Sequence, residues 1–161
     1  MENKNDVNFI ANEMYQRIMD KMPICTVDVI FLNKEKNKIL LFKRNNEPLK
    51  NTYFTIGGRL FKGESFLDCA LRKAKEELNL KLDPKKTILA GVAQENCKNS
   101  IFKNISYYAV DVFFLYILKN ERVDVKFDEQ HNNYKWFSIK DKTLHPFIKE
   151  KIRQTLLAIK K

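Results

Sequence analysis

The stretch Gly57 to Leu80, GGRLFKGESFLDCALRKAKEELNL, decides the fold. It joins a glycine pair to the clearest helix in the chain. From Phe66 to Leu78 the apolar residues Leu67, Leu71, Ala74 and Leu78 recur at the i, i+3/i+4 spacing of a core-facing stripe. Asn79 follows, a residue that tolerates a left-handed helix end second only to glycine. Paired glycines after a strand let the backbone turn sharply and present a carbonyl to a ligand or metal. Glu64 stands near the helix start, and Arg72, Glu76 and Glu77 lie on its last turns. Arg72 and Glu76 are i, i+4 neighbours, as are Lys73 and Glu77. Two adjacent carboxylates facing a glycine carbonyl are the oxygen donors that magnesium prefers. Taken alone, the glutamate pair reads rather as a solvated helix face with ordinary ion pairs.

Outward from this stretch, the pattern alternates helix and strand. Val7, Ile10, Met14 and Ile18 space an amphipathic helix over Asn5 to Lys21, ended by Pro23. Ile24 to Leu32 and Lys38 to Lys43 read as strands around the polar turn Asn33 to Asn37, a hairpin. Thr52 to Ile56 reads as a short strand stopped by Gly57-Gly58. Strands are expected at Ile88 to Gln94, Ser106 to Leu118 and Tyr134 to Ser138, with a closing helix over Asp141 to Ile159. Strands on both sides of a central helix, with helices at the ends, predict an α/β fold, a sandwich around a mixed β-sheet.

The 161 residues are about one domain's worth, so 1–161 is read as one unit with 1–22 as a helical extension. A net charge of +10 suggests an anionic partner. It comes from 24 Lys and 6 Arg beside 16 Asn, a general Lys/Asn bias rather than an arginine-rich nucleic-acid surface. A phosphate-bearing small molecule is therefore favoured over nucleic acid. Cys25, Cys69 and Cys97 form no C-x-x-C pair, which argues for a reduced setting without a zinc site. The polar start MENKNDVN has no apolar run, and the most apolar stretch, Tyr107 to Leu118, is short and carries Asp111. A soluble cytoplasmic protein without a membrane partner is expected.

The central stretch resembles the Nudix box: G, five residues, E, seven residues, then R-E-apolar-x-E-E-x-G-apolar. Gly58, Glu64, Arg72, Ala74, Glu76, Glu77 and Leu80 fall in register. Lys73 stands where the first glutamate of the R-E-x-x-E-E run belongs, and Asn79 where the glycine belongs. Lys73 takes the formal charge of three clustered carboxylates from −3 to −1, too little for several divalent ions. A second segment, FDEQHNNYKWF from Phe127 to Phe137, holds Gln130-His131. An amide oxygen can ligate magnesium, and a histidine near its intrinsic value of about 6.5 can take a proton from water. Together with PICTVDVIF, LLFKRNNEP and the YF-x-x-GGR segment, it is similar to the GDP-mannose mannosyl hydrolases, atypical members of the Nudix hydrolase family.

The resemblance implies an α/β/α sandwich, a homodimer, and one Mg2+ held by the Gly57 carbonyl, Glu77 and Gln130, with Glu76 a further candidate. It implies His131 as general base, Asp28 beside the reacting sugar, and Arg44 on the diphosphate. Arg59, Arg72 and Tyr108 are further candidates for substrate binding or, for the arginines, bracing of the box. The implied reaction adds water at the sugar C1 of a nucleotide sugar, GDP-mannose or a relative, with inversion. Departing charge on the nucleotide would be stabilised by magnesium and Arg44. Glu76 is retained and Glu95 falls near where those enzymes place a histidine, so two alternatives stay open. One is a conventional Nudix diphosphatase; the other is a catalytically inactive nucleotide- or RNA-binding domain. Asp28 has a lysine partner as its plain alternative, Cys69 reads as packing, and His145 before Pro146 as a helix start.

Overall fold

The computed structural model describes residues 8–123 and 131–160, with His131 and Asn132 described by backbone alone. Among the described residues, seven strands form one mixed sheet. β1 (Ile24–Leu32) is its axis, an almost wholly buried strand. On one side β1 runs parallel to β6 (Tyr107–Ile117), which pairs antiparallel with the edge strand β5 (Ile88–Cys97). On the other side β1 changes partners along its length. Its far end pairs with β2 (Lys38–Arg44) through Phe31–Leu40 and Leu32–Ile39, and its near end with β4 (Ile56–Arg59) through Thr26–Arg59 to Val29–Ile56. β2 continues outward to β3 (Tyr53–Phe54) and β7 (His131–Ser138). The split beside β1 leaves a gap where β2 and β4 diverge.

Period-two alternation assigns the two faces of the sheet. Val27, Val29, Phe31, Val112 and Phe114 pack against α2 (Phe66–Leu78) through Ala70, Ala74 and Leu78. Ile30, Leu32, Phe113 and Leu115 pack against α3 (Pro146–Ala158) through Ile148 and Ile152. This is the expected α/β/α sandwich. α2 starts on Ser65, whose hydroxyl accepts from the Asp68 N–H, a cap worth about 1 kcal/mol. It ends on Asn79 at φ 55°, ψ 25°, the left-handed end the sequence predicts.

Several expected boundaries move, three of them near the site. Gly57-Gly58 does not stop a strand; both residues lie inside β4, because they are needed for close approach and not for a turn. A Cβ on Gly57 would fall 1.9 Å from Asp28 Oδ1. The first helix, α1, spans Asn12–Lys21 and not Asn5 onward, with residues 8–11 outside it and Val7 outside the described residues. The last helix starts at Pro146, because Asp141 is spent on a turn with Thr143 and His145 Nδ1 caps the Phe147 N–H. α1 turns Tyr15, Ile18 and Met19 onto Ile24, Phe102 and Ile105 of its own chain. Of the apolar stripe read from the sequence, Ile18 packs inward while Met14 stays exposed.

Candidate active site

A cleft of about 150 Å³ opens on the α3 side of the sheet, in the gap between β2 and β4. Arg44 and Arg59 stand in its walls, and Asp28, Thr26 and Glu95 form its floor. Tyr15 of α1 and Tyr107 of β6 complete it. Typical small-molecule pockets are about 300–1,000 Å³, so this cleft encloses less than a typical site.

The floor is built on a lysine the sequence reading missed. Lys151, on α3 and 0% exposed, reaches Asp28 Oδ2 at 2.5 Å, Glu95 Oε1 at 2.8 Å and Asp111 Oδ2 at 2.9 Å. Thr55 donates to Asp28, and Thr26 to Asp111. The three carboxylates lie within 4.8 Å of one another, a spacing that suits a metal ion, but the Lys151 ammonium holds the central place. Burial alone would push that ammonium down; Asp111, Asp28 and Glu95 more than offset it, so it stays charged well above the ordinary lysine value. Three carboxylates against one ammonium would leave −2 in a buried site, and that is too costly to persist. Burial first, then neighbouring carboxylates, lifts Asp111 well above its ordinary range; burial also lifts Glu95.

A pH dependence follows. A carboxyl that holds its proton better when folded stabilises the fold fully below its unfolded value, about 3.9 for Asp and 4.3 for Glu. That contribution is lost as pH rises through the raised folded value. The urea midpoint is expected to fall as pH climbs above the ordinary carboxylate range, and Asp111→Asn to flatten the fall. A midpoint that rises from about pH 5 to pH 8 would contradict this reading.

The predicted site residues separate into two groups. Asp28, Arg44, Arg59 and Gly57 meet in the cleft. Asp28 has the lysine partner that was its plain alternative, and it also lines the cleft. Arg44 donates from Nε to the Pro48 carbonyl at 2.8 Å. Arg59 donates to the Asn8 carbonyl at 2.7 Å and lies between the Phe61 and Tyr15 rings, 4.9 and 5.9 Å from their centroids. His131 opens β7 in register with Arg44. Gln130 lies outside the described residues.

Arg72 and Tyr108 lie elsewhere. Arg72 forks onto Glu64 (Nε–Oε1 2.7 Å, Nη2–Oε2 2.9 Å), reaches Glu76 at 3.2 Å and covers the Phe61 ring at 3.8 Å. With its donors committed, it braces the loop and does not line the cleft. The Glu64 hydrogen bonds raise its already high value, and Arg72 in turn holds Glu64 below the usual carboxylate range. Tyr108 is 40% exposed on the α2 side of β6, whereas its neighbour Tyr107 faces the cleft. Cys69 is buried, its thiol pushed up to about 12 by burial, as suits packing and not nucleophilic attack.

The box itself is closed by Lys73. Its ammonium lies 2.5 Å from Glu77 Oε1 and 3.4 Å from Glu76 Oε2. Glu77 is 1% exposed, so this is a buried pair and not the exposed helix pair of a few tenths of a kcal/mol that the spacing suggests. Glu64 belongs to Arg72. The arrangement does not fit a bound Mg2+: the inward carboxylate already has a cation, and Glu76 is half-exposed and shared.

The NUDIX domain profile matches residues 22–157, so the chain belongs to that family. Among characterised sequences it is 26% identical over 140 residues to the low-salt glycan biosynthesis protein Agl8 of Haloferax volcanii, covering 86% of each chain. Its fold is similar to that of a MutT protein from Methanosarcina mazei, at a TM-score of 0.68 and 19% identity over 88% of this chain and 99% of that one. It is also similar to the NUDIX domain of Shewanella oneidensis NrtR, solved with ADP ribose, at 0.63 and 18% over 93% and 99%.

Proposed function

We propose that this protein hydrolyses a nucleotide sugar, GDP-mannose or a relative, in the cleft between Arg44 and Arg59. The observation that carries the reading is a division of labour. The box carboxylates that would activate water toward phosphorus are engaged by Arg72 and Lys73. The cleft, which none of these carboxylates lines, instead joins two guanidinium groups to a floor of buried carboxylates. Arginines suit a diphosphate, and carboxylate acceptors suit sugar hydroxyls. ADP ribose, held by the Shewanella relative, is itself a nucleoside diphosphate joined to a sugar.

In this reading water adds to C1 of the sugar from the face opposite the diphosphate, inverting the centre. The C1–O bond breaks, and its electron pair leaves on the diphosphate, where Arg44 and Arg59 meet the developing charge. His131, carried into register beside Arg44 by β7, takes the proton from water. Asp28 stays beside the sugar, oriented by Thr55 and Lys151. Products are free sugar and nucleoside diphosphate. The expected magnesium enters as the counter-ion a nucleoside diphosphate brings from solution, outside the box. The same reading keeps the homodimer and the cytoplasmic setting; the partner subunit would meet a face other than the Tyr15, Ile18 and Met19 stripe.

A second reading, nucleotide binding without turnover, is favoured by the Lys73–Glu77 pair. Reaction of a nucleotide-sugar panel in ¹⁸O-water separates them. Label on the free sugar is the expected result. Label in a phosphate would sink attack at C1 and promote the diphosphatase, and binding without product would promote the second reading.

A further inference from the structure

We infer that the Lys73 ammonium is the resident cation of the box: it permanently takes the place among Glu76 and Glu77 that a divalent ion would need, and the box works without bound metal. Four observations converge. The ammonium contacts both glutamates, and Glu77 is enclosed with it. The third box carboxylate, Glu64, is held through both oxygens by Arg72. The lysine stem has a fitted bed, because a Cβ on Gly58 would stand 2.9 Å from Lys73 Cε and 3.1 Å from its Cδ. Finally, Glu64, Glu76 and Glu77 against Arg72 and Lys73 sum to −1, and a divalent ion would have to expel an ammonium whose side chain is only 11% exposed. That expulsion would strand a buried charge.

The inference is independent of which substrate the cleft takes, since it concerns the box and a cation alone. It makes position 73 a single-residue switch. A carboxylate there would change the local charge by two units and free Glu77 to ligate, which is the donor set hard divalent ions require.

The test is Mn2+ binding to the substrate-free, metal-stripped full chain, read by the loss of the free-ion electron paramagnetic resonance signal. The wild type is expected to bind no Mn2+ more tightly than about millimolar, and Lys73→Glu to bind at least one ion about 100-fold more tightly. Glu77→Gln placed in the Lys73→Glu background should remove that site. Lys73→Gln, which removes the charge and keeps a polar side chain one atom shorter, should bind a single ion with intermediate affinity, and it carries the test if Lys73→Glu does not fold. Wild-type binding as tight as that of Lys73→Glu would overturn the inference. So would a Lys73→Gln protein with wild-type circular dichroism and no gain in Mn2+ affinity. A wild-type Tm raised several degrees by Mg2+ over EDTA would overturn it as well.

Discussion

Lys151→Met is expected to lower the stability of the fold by about 3–5 kcal/mol, measured by urea unfolding near neutral pH. Methionine fills a similar volume, so packing against Phe54 and Phe113 is largely retained and the loss is electrostatic. What remains is Asp28, Glu95 and Asp111 facing one another in a buried space with no cation among them. Against a total stability of about 5–15 kcal/mol for an ordinary domain, that loss is large enough to leave a visible unfolded population. Lowering the pH should rescue much of it, because protonated carboxyls no longer repel. A cost below about 1 kcal/mol would show that the cluster tolerates its charge by some means other than Lys151.

His131→Ala is expected to lower turnover of the nucleotide sugar by about 10²–10⁴-fold, the usual contribution of a positioned general base. In the proposed reading binding should survive, since Arg44 and Arg59 would hold the diphosphate from separate strands. The wild-type rate should rise with pH as the imidazole loses its proton, starting from an intrinsic value of about 6.5. That rising limb should vanish in the variant. An inflection that persists unchanged in His131→Ala would assign the proton transfer elsewhere, with Glu76, half-exposed at the edge of the box, as the first replacement to examine.

The elements legible in the sequence are those where one physical signal acts alone. β1 is an unbroken apolar run and α2 an amphipathic stripe with a cap at each end, and both lie where the pattern predicts. Gly57-Gly58 misled because two causes produce the same residue. Glycine permits a turn, and it also permits another chain segment to come close; here the second cause operates, against Asp28 and Lys73. At the last helix, Pro146 at the first helical position is a start signal that outranks the polar residues before it.

The site shows a similar split. Asp28 and Arg44 were readable, one as a carboxylate in an apolar strand and the other through the family resemblance alone. Lys151 was not, although a trace existed: it sits with Ile148, Ile152 and Thr155 on the buried stripe of α3. A charge on a core stripe must find a partner, and Asp28 and Asp111 are the matching charges in buried strands. Tyr107 was also recoverable, because Asp111, four residues on, points to the same face, and Tyr108 therefore points to the other. The Lys73–Glu77 pair was visible as a spacing, but the spacing carries no information about burial, and burial is what turns a weak pair into a fixed one.

The family likeness begins at residue 22, and one side of the cleft is supplied from before it. Tyr15 stands in that wall, and the Asn8 carbonyl and the Tyr15 ring fix the guanidinium of Arg59. Chemistry and fit are thus written in different parts of the chain. The sheet and its charged floor lie within the stretch that matches the family, while one side of the mouth is formed by a helix that takes no part in strand pairing. Exchanging that helix would re-cut the entrance and loosen Arg59 while leaving the paired strands beneath it in place, so selectivity can diverge among such proteins without any change in the machinery below.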